Sequence, residues 1–149
     1  MALVVDSNIL LYAANRGCPE HVVSLDFLQE IAATGDFCFL PENVIYEFLR
    51  VATHPRVFPQ PLRASEAVIF LDALLSVSSF RILGATERHW SNLRALVREL
   101  GEPGGNFFFD VHTAALMREH GIRRIATADN DFSKFTDLEV VNPIRRNTA

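Results

Sequence analysis

The sequence predicts an α/β fold in which a parallel sheet of about five short strands is covered by helices on both faces, giving three layers. Short apolar segments alternate with longer amphipathic segments along the 149 residues, an order typical of parallel sheets with helical crossovers. Apolar residues make up 49% of the chain and charged residues 21%, which fits one globular domain with a substantial core. No repeat or linker divides the chain, so we expect a single domain spanning 1–149.

The predicted strands are short apolar runs bounded by turn or cap residues. In chain order they cover 3–5, 37–40, 80–83, 122–127 and 138–141. The first is followed by Asp6 and Ser7, either of which could cap a helix, and the second is followed by Pro41. Cys38 lies inside the second run and is expected to be a small core residue rather than a disulfide partner, because Cys18 and Cys38 form no metal-binding or paired motif.

The predicted helices show apolar residues three or four apart and end at recognisable stops. In chain order they cover 7–14, 19–34, 42–52, 65–76, 86–100 and 107–120. Gly35, Gly101 and Gly121 are placed to end the second, fifth and sixth of them. The periodicity predicts that Val22 in the second helix and Trp90 in the fifth face the core. Three prolines between 54 and 61 predict a semi-rigid loop after the third helix.

Composition excludes several classes of protein. The apolar runs are too short for a membrane span, and the N-terminus has no basic leader of the kind that begins a secretory signal. We therefore expect a cytoplasmic protein with no membrane partner. The net charge of −4 argues against a nucleic-acid partner, but it becomes +1 when five candidate site acids are set aside. Because Lys134 is the only lysine, nearly all basic residues are arginines, which bind phosphates well but also reflect codon bias.

Five acidic residues that are far apart in the sequence are candidates for one site: Asp6, Glu47, Asp110, Asp129 and Asp131. Asp6 directly follows the first strand and Asp129 follows the fourth by one residue. Ligands of open parallel sheets bind at the carboxyl ends of the strands, so both carboxylates face one crevice if these strands are neighbours. Each acid also has an ordinary explanation, Asp6 as a helix cap, Glu47 as a residue bordering an apolar stripe, and Asp129 and Asp131 as turn residues.

A divalent cation would account for such a cluster. Mg²⁺ prefers oxygen ligands, commonly one or two carboxylates together with water and substrate phosphate. A bound cation can generate a nucleophile from water and stabilise the leaving oxygen of a phosphodiester. Without a cation, clustered carboxylates would repel one another and any polyanionic substrate.

The order and spacing of four acidic blocks resemble those of PIN-domain ribonucleases. Within that family, the chain is similar to the VapC toxins of type II toxin-antitoxin modules. The resemblance covers 6–143 and rests on the blocks DSNILLYA from Asp6, YEF around Glu47, Asn106 with DxHxAA from Asp110, and TADxDF from Thr127. It implies the three-layer PIN fold. It also implies cleavage of RNA phosphodiesters by a water activated by Mg²⁺, with Mn²⁺ as a substitute.

The resemblance also implies a role for each matching residue. Asp6 and Asp110 would hold the principal metal ion, and Glu47 and Asp129 would complete the catalytic set. Asp131 would be an additional acid that, with Glu47 and Asp129, could form a second metal site. Asn8 and Thr127 would support the site. His112 is two positions from Asp110 and therefore points elsewhere around the helix.

Partners follow from the same resemblance. The RNA substrate would be tRNA or rRNA, held by arginines at the cleft rim, for which Arg50, Arg56 and Arg118 are candidates. A cognate VapB-like antitoxin would inhibit the enzyme, and the protein would form a homodimer or a toxin-antitoxin hetero-oligomer. The apolar segment 67–75 is either a contact surface or a core helix.

Other functions fit the sequence less well. Haloacid-dehalogenase-like enzymes need a second Asp where this chain has Asn8, and receiver domains need an Asp after a central strand and a Lys after a later one, which the middle strands do not provide. Nucleotide-binding glycine motifs are absent. The remaining alternative is a catalytically inactive PIN-like scaffold that binds RNA or protein.

Overall fold

The computed structural model describes residues 1–145 as six helices packed on a five-stranded sheet. The last four residues of the predicted domain lie outside the described part of the chain. The strands are β1 (Ala2–Val5), β2 (Phe37–Pro41), β3 (Phe80–Leu83), β4 (Arg124–Ala126) and β5 (Glu139–Val141). The helices are α1 (Ser7–Ala14), α2 (His21–Thr34), α3 (Glu42–Ala52), α4 (Ala64–Leu75), α5 (His89–Leu100) and α6 (Phe107–Glu119), and a 3-10 helix spans Asn130–Lys134.

All strand pairs are parallel, in the order β3-β2-β1-β4-β5. The predicted α/β class, the five-stranded parallel sheet and the helices on both faces are therefore confirmed. The strand order reverses direction at β1, which is flanked by β2 on one side and β4 on the other. This makes the carboxyl ends of β1 and β4 the topological switch point, the part of such a sheet where ligands bind.

Successive residues of β1 face opposite layers, because side chains alternate along a strand. Leu3 and Val5 pack with the layer that contains residues of α1 to α4, and Val4 packs with the layer that contains residues of α5 and α6. Burial on both faces explains why β1 is a continuous apolar run rather than an alternating one. None of the helices within residues 1–145 has the length and hydropathy needed to cross a bilayer.

Two residues predicted to face the core are exposed. Trp90 is 65% exposed, and Val22 is also on the surface. In α5 the predicted start was three residues too early, and Trp90 lies in the first turn of the observed helix, outside the stripe centred on buried Leu96. In α2 the buried stripe runs through Ser24, Leu28 and Ile31, and Val22 lies beside it.

Segment 67–75 contributes to both the core and the surface. Ala67 and Leu71 are buried in the layer beneath α4, whereas Val68 and Ile69 are exposed. The two alternatives for this segment are therefore faces of the same helix. At the start of α4, the side chain of Glu66 accepts a hydrogen bond from the backbone N–H of Arg63 at 2.9 Å. The N-cap residue is Arg63, so α4 begins at Ala64, one residue before the predicted start at 65.

A buried carboxylate fixes the end of α6 to the segment before α5. The side chain of Glu119 is 0% exposed; it accepts a hydrogen bond from the backbone N–H of Thr86 and lies 2.6 Å from Nδ1 of His89. Arg88 donates from Nη2 to the backbone oxygen of Glu119 at 2.7 Å. Burial opposes ionisation of Glu119, but the hydrogen bonds from Thr86 and His89 together lower its pKa. This set of contacts joins two elements that are about 30 residues apart in the chain.

Candidate metal centre

Asp6 lies at the carboxyl end of β1 and begins α1. Its Oδ1 accepts a hydrogen bond from the backbone N–H of Ser7 at 2.8 Å, so it acts as the helix cap. Its Oδ2 accepts a hydrogen bond from the hydroxyl of Thr127 at 2.7 Å, and its own backbone N–H donates to the backbone oxygen of Ala126 at 2.9 Å. The side chain is buried. Asp6 can therefore cap α1 and also belong to the acidic site, because its two carboxylate oxygens have different partners.

Thr127 and Asn8 connect the first and fourth strands. The hydroxyl of Thr127 accepts hydrogen bonds from Nδ2 of Asn8 at 3.1 Å and from the backbone N–H of Asp129 at 3.0 Å. Oδ1 of Asn8 in turn accepts a hydrogen bond from the backbone N–H of Ala128 at 3.2 Å. These bonds hold Asp6 and the segment leading to Asp129 in one arrangement, which is the supporting position that the resemblance implied for Asn8 and Thr127.

Three carboxylates form a tight group beside Asp6. Asp110, Asp129 and Asp131 each offer an oxygen, and these oxygens all lie within 4.8 Å of one another. Asp110 lies in the first turn of α6, and Asp129 caps the 3-10 helix by accepting a hydrogen bond from the backbone N–H of Asp131 at 2.9 Å. The geometry therefore includes Asp131, which the resemblance implied only as an additional acid.

Electrostatics link this group to Asp6 and Glu47. Burial, followed by the negative charges of Asp6, Asp129, Asp131 and Glu47, raises the pKa of Asp110 to about 7. Burial also raises the pKa of Asp6 to about 6, although the hydrogen bonds from Thr127 and Ser7 oppose the shift and the charges of Glu47 and Asp129 add to it. Glu47 is half-buried on α3. All five predicted acids are therefore part of one region of negative potential.

The donor set fits a hard divalent cation. Among the ion pairs formed within residues 1–145, the only one to the group of five acids joins Nζ of Lys134 to Oδ1 of Asp131 at 3.9 Å, on the surface. Like charges at this spacing are unfavourable without a neutralising partner. Carboxylate oxygens are the ligands that Mg²⁺ and similar ions use, so Asp6, Asp110, Asp129 and Asp131 could hold such an ion, with Glu47 nearby.

The PIN domain family model matches residues 3–138. Ribonuclease VapC43 of Mycobacterium tuberculosis is 33% identical over 142 residues, which are 95% of each chain. The chain belongs to the VapC proteins of the PIN-domain family. Ribonuclease VapC48 of the same organism is 31% identical over 143 residues, covering 96% of this chain and 98% of the relative. The resemblance proposed from the acidic blocks is therefore confirmed.

Solved structures of VapC proteins share this PIN fold. VapBC2 from Rickettsia felis, bound to a DNA fragment from its promoter, aligns with a TM-score of 0.66 at 18% identity, over 95% of this chain and 98% of that one. VapC20 of Mycobacterium tuberculosis, described as a Sarcin-Ricin loop cleaving toxin, aligns with a TM-score of 0.62 at 23% identity, over 88% and 92% of the two chains.

The three arginines proposed to bind RNA occupy different places in this PIN domain. Arg50 is exposed in the last turn of α3, three residues after Glu47, and Arg56 is exposed in the turn that follows. Arg118 lies in the last turn of α6, about 12 Å along the helix from Asp110. Its guanidinium is bound by the carboxylates of Glu99 at 2.9 Å and Asp137 at 3.2 Å. The structure thus does not bring Arg118 to the acidic cluster.

His112 contacts α5 instead of the acids. Its ring centroid lies 5.3 Å from that of His89, and burial, together with the charge of His89, lowers its pKa. The prediction that it points away from Asp110 agrees with this position.

Asn43 is a supporting residue that sequence reasoning missed. Its Nδ2 donates hydrogen bonds to the hydroxyl of Thr113 at 2.8 Å and to the backbone oxygen of Phe109 at 3.4 Å. These bonds fix α3, which carries Glu47, against α6, which carries Asp110. A polar residue one turn before Glu47 on the same helix face was the available signal.

The shifted acids predict a pH-dependent stability of the metal-free protein. Asp110 has a folded pKa above its unfolded value of 3.8, so the folded state binds more protons between the two values and the unfolding free energy falls as pH rises through this range. In EDTA at pH 8, we expect Asp110→Asn to melt about 2–4 °C above the parent, equivalent to about 1 kcal/mol after solvent screening.

Melting curves at pH 5 and pH 8 check this prediction. The difference between parent and variant should narrow at pH 5, where Asp110 is protonated. His112 has a lowered pKa, so its contribution to the free energy of unfolding rises with pH, opposite to that of Asp110. Because parent and variant both contain His112, this contribution cancels in the difference between them. Asp72→Asn, at an exposed position of α4, is the control and should leave the melting temperature unchanged at both pH values. A pH-independent difference would contradict the expectation.

Proposed function

We propose that this protein is the toxin of a type II toxin-antitoxin module and acts as a Mg²⁺-dependent endoribonuclease. Its VapC relatives are named ribonucleases, and the observation that carries the proposal is the group of Asp110, Asp129 and Asp131 oxygens beside buried Asp6. This arrangement has an excess of negative charge that a phosphodiester could approach only after neutralisation. Mn²⁺ is expected to substitute for Mg²⁺.

Each acid has a proposed role in hydrolysis. The bound ion would supply Lewis acidity and lower the pKa of water at the scissile phosphate. Asp6 and Asp110 are the principal ligands, and Glu47 and Asp129 complete the catalytic set. Asp131 and these last two acids could serve a second ion. Thr127 is a positioning residue, because its hydroxyl orients the Oδ2 of Asp6 while accepting hydrogen bonds from Asn8 and Asp129.

The proposed substrate is tRNA or rRNA. VapC20 is described as cleaving the sarcin-ricin loop, and RNA loops expose bases and backbone that a duplex hides. Arg50 and Arg56, which are exposed near the end of α3, are the proposed phosphate contacts. Arg118 is bound by Glu99 and Asp137 and lies outside this assignment.

The proposed partner is a cognate VapB-like antitoxin that inhibits cleavage. Similar folds occur in the VapBC complexes of Rickettsia felis and of nontypeable Haemophilus influenzae, which supports a toxin-antitoxin hetero-oligomer, alone or built on a toxin homodimer. We further propose that the protein acts in the cytoplasm, where its RNA substrates are found.

A nuclease assay tests the proposal. Purified protein, freed of any antitoxin, should cleave structured RNA with Mg²⁺ or Mn²⁺ and stop when EDTA is added. Adding the purified cognate antitoxin should also stop cleavage. Activity that persists in EDTA would contradict the metal mechanism. Tight RNA binding with no cleavage in any divalent metal would instead support the inactive scaffold.

A further inference from the structure

Two strongly exposed aromatic residues are adjacent in sequence to two of the candidate site acids. Tyr46 directly precedes Glu47 on α3 and is 74% exposed, and Phe109 directly precedes Asp110 on α6 and is 61% exposed. A single exposed aromatic residue on a protein surface is ordinary. Two rings from separate helices, each adjacent in sequence to a candidate metal ligand, place apolar flat surfaces on both helices that carry the site.

The α3–α6 junction fixes where these rings lie. Asn43 of α3 donates from Nδ2 to the backbone oxygen of Phe109 at 3.4 Å and to the hydroxyl of Thr113 at 2.8 Å. Tyr46 follows Asn43 by three residues and so lies on the neighbouring turn of the same side of α3. The hydrogen bonds of Asn43 therefore bring the turns of α3 and α6 that carry Tyr46 and Phe109 together at the junction of the two helices.

A basic side chain that could bind a polyanion lies on the same helix as Tyr46. Arg50 follows Tyr46 by four residues and is exposed in the last turn of α3. It takes part in none of the ion pairs within residues 1–145. An aromatic ring beside a guanidinium is the arrangement by which proteins hold single-stranded nucleic acids, with bases stacked on the ring and phosphate bound by the cation.

We infer that Tyr46, Arg50 and Phe109 form an aromatic rim that binds unpaired bases of RNA next to the cleaved phosphodiester. The inference rests on the proposed ribonuclease function and adds a selection rule to it. A strand bound at the acids brings its own neighbouring bases to the rim, and unpaired bases can stack on Tyr46 and Phe109. Bases inside an A-form duplex are already stacked and cannot reach the rings. The rim thus selects loops and single strands over duplexes.

RNA binding in a non-cleaving background tests the rim. The protein is the full chain with Asp6→Asn, and the probe is a short single-stranded RNA containing 2-aminopurine, alone or annealed to its complement. Tyr46→Ala and Phe109→Ala should each weaken single-strand binding roughly 10-fold and reduce the fluorescence quenching that stacking causes. Tyr46→Phe and Phe109→Tyr, which keep a ring, should retain both signals.

Matched controls separate recognition from folding. Ile69→Ala, at a position 65% exposed on α4, should leave RNA affinity unchanged. All variants should keep the parent's melting temperature, because the replaced side chains are on the surface. Duplex binding should be weak in the parent and unaltered by the ring substitutions.

Three outcomes would contradict the proposed rim. The first is unchanged single-strand affinity in both alanine variants, and the second is an equal loss of affinity for single strand and duplex. The third is intact RNA binding together with weakened association to the purified antitoxin, which would make the surface a protein interface. Failure of the parent to cleave RNA would refute the nuclease but not the rim, since binding is measured without cleavage. Cleavage by the parent with unaltered binding in the ring variants would refute the rim alone.

Discussion

Asp110→Asn is expected to reduce metal-dependent RNA cleavage by roughly 100-fold or more, because even substitutions beyond the metal ligands of such sites cost 10- to 100-fold. The neutral amide keeps the shape of the side chain but removes the charge that attracts the ion. Asp110 also lies in the tight carboxylate group with Asp129 and Asp131. Single-turnover cleavage of a labelled RNA at saturating Mg²⁺ measures the effect.

The matched control for this experiment is Asp72→Asn, which makes the same chemical change at an exposed position of α4 and should keep the parent's rate. Asp6→Asn should behave like Asp110→Asn, since Asp6 is a proposed ligand held by Thr127. Circular dichroism spectra that match the parent would show that the fold survives. Full activity in both Asp6→Asn and Asp110→Asn would remove the acidic cluster from the mechanism.

Glu119→Ala is expected to lower the free energy of unfolding by about 2–4 kcal/mol, because it removes a buried carboxylate that accepts from the backbone N–H of Thr86 and pairs with His89. The free energy of unfolding of Glu119→Gln should lie between those of the parent and Glu119→Ala, since the amide oxygen can still accept a hydrogen bond from the backbone N–H of Thr86. Urea unfolding at pH 7 measures the change.

Glu99→Ala is the control for Glu119→Ala. Glu99 pairs with Arg118 on the surface, where an ion pair contributes about 1 kcal/mol or less. Equal losses in the two variants would show that the buried position of Glu119 adds nothing. Because its folded pKa is lowered, the contribution of Glu119 should be present near neutral pH and lost as pH falls through that folded pKa, below 4.5.

The arrangement of Asp6 and Asp129 could be anticipated because parallel strands expose their carboxyl ends at one edge. The prediction needed β1 and β4 to be neighbours, and they are. The exposure of Trp90 could not be anticipated, because an amphipathic pattern does not say where a helix begins, and α5 starts at His89. A shift of three residues changes which side chains begin the buried stripe.

Long-range pairs were also beyond sequence reasoning. Arg118 is bound by Glu99 and Asp137, each 19 residues away in the chain, and no local pattern identifies such partners. The inclusion of Asp131 in the tight carboxylate group depends on the 3-10 turn that Asp129 caps. Sequence spacing alone does not fix the backbone conformation between Asp129 and Asp131, and this conformation sets the directions of the two carboxylates.

The hydrogen bond from Thr127 to Asp6 spans 121 residues. During synthesis, Asp6 leaves the ribosome long before its partner is made, and β4, which forms the other wall of the crevice, is among the last strands to emerge. Since chains fold as their segments become available, the acidic group cannot assemble on a nascent chain that stops short of residue 124. Until β4 and the acids that follow it have been synthesised, the nascent chain lacks part of the acidic group proposed to attack RNA.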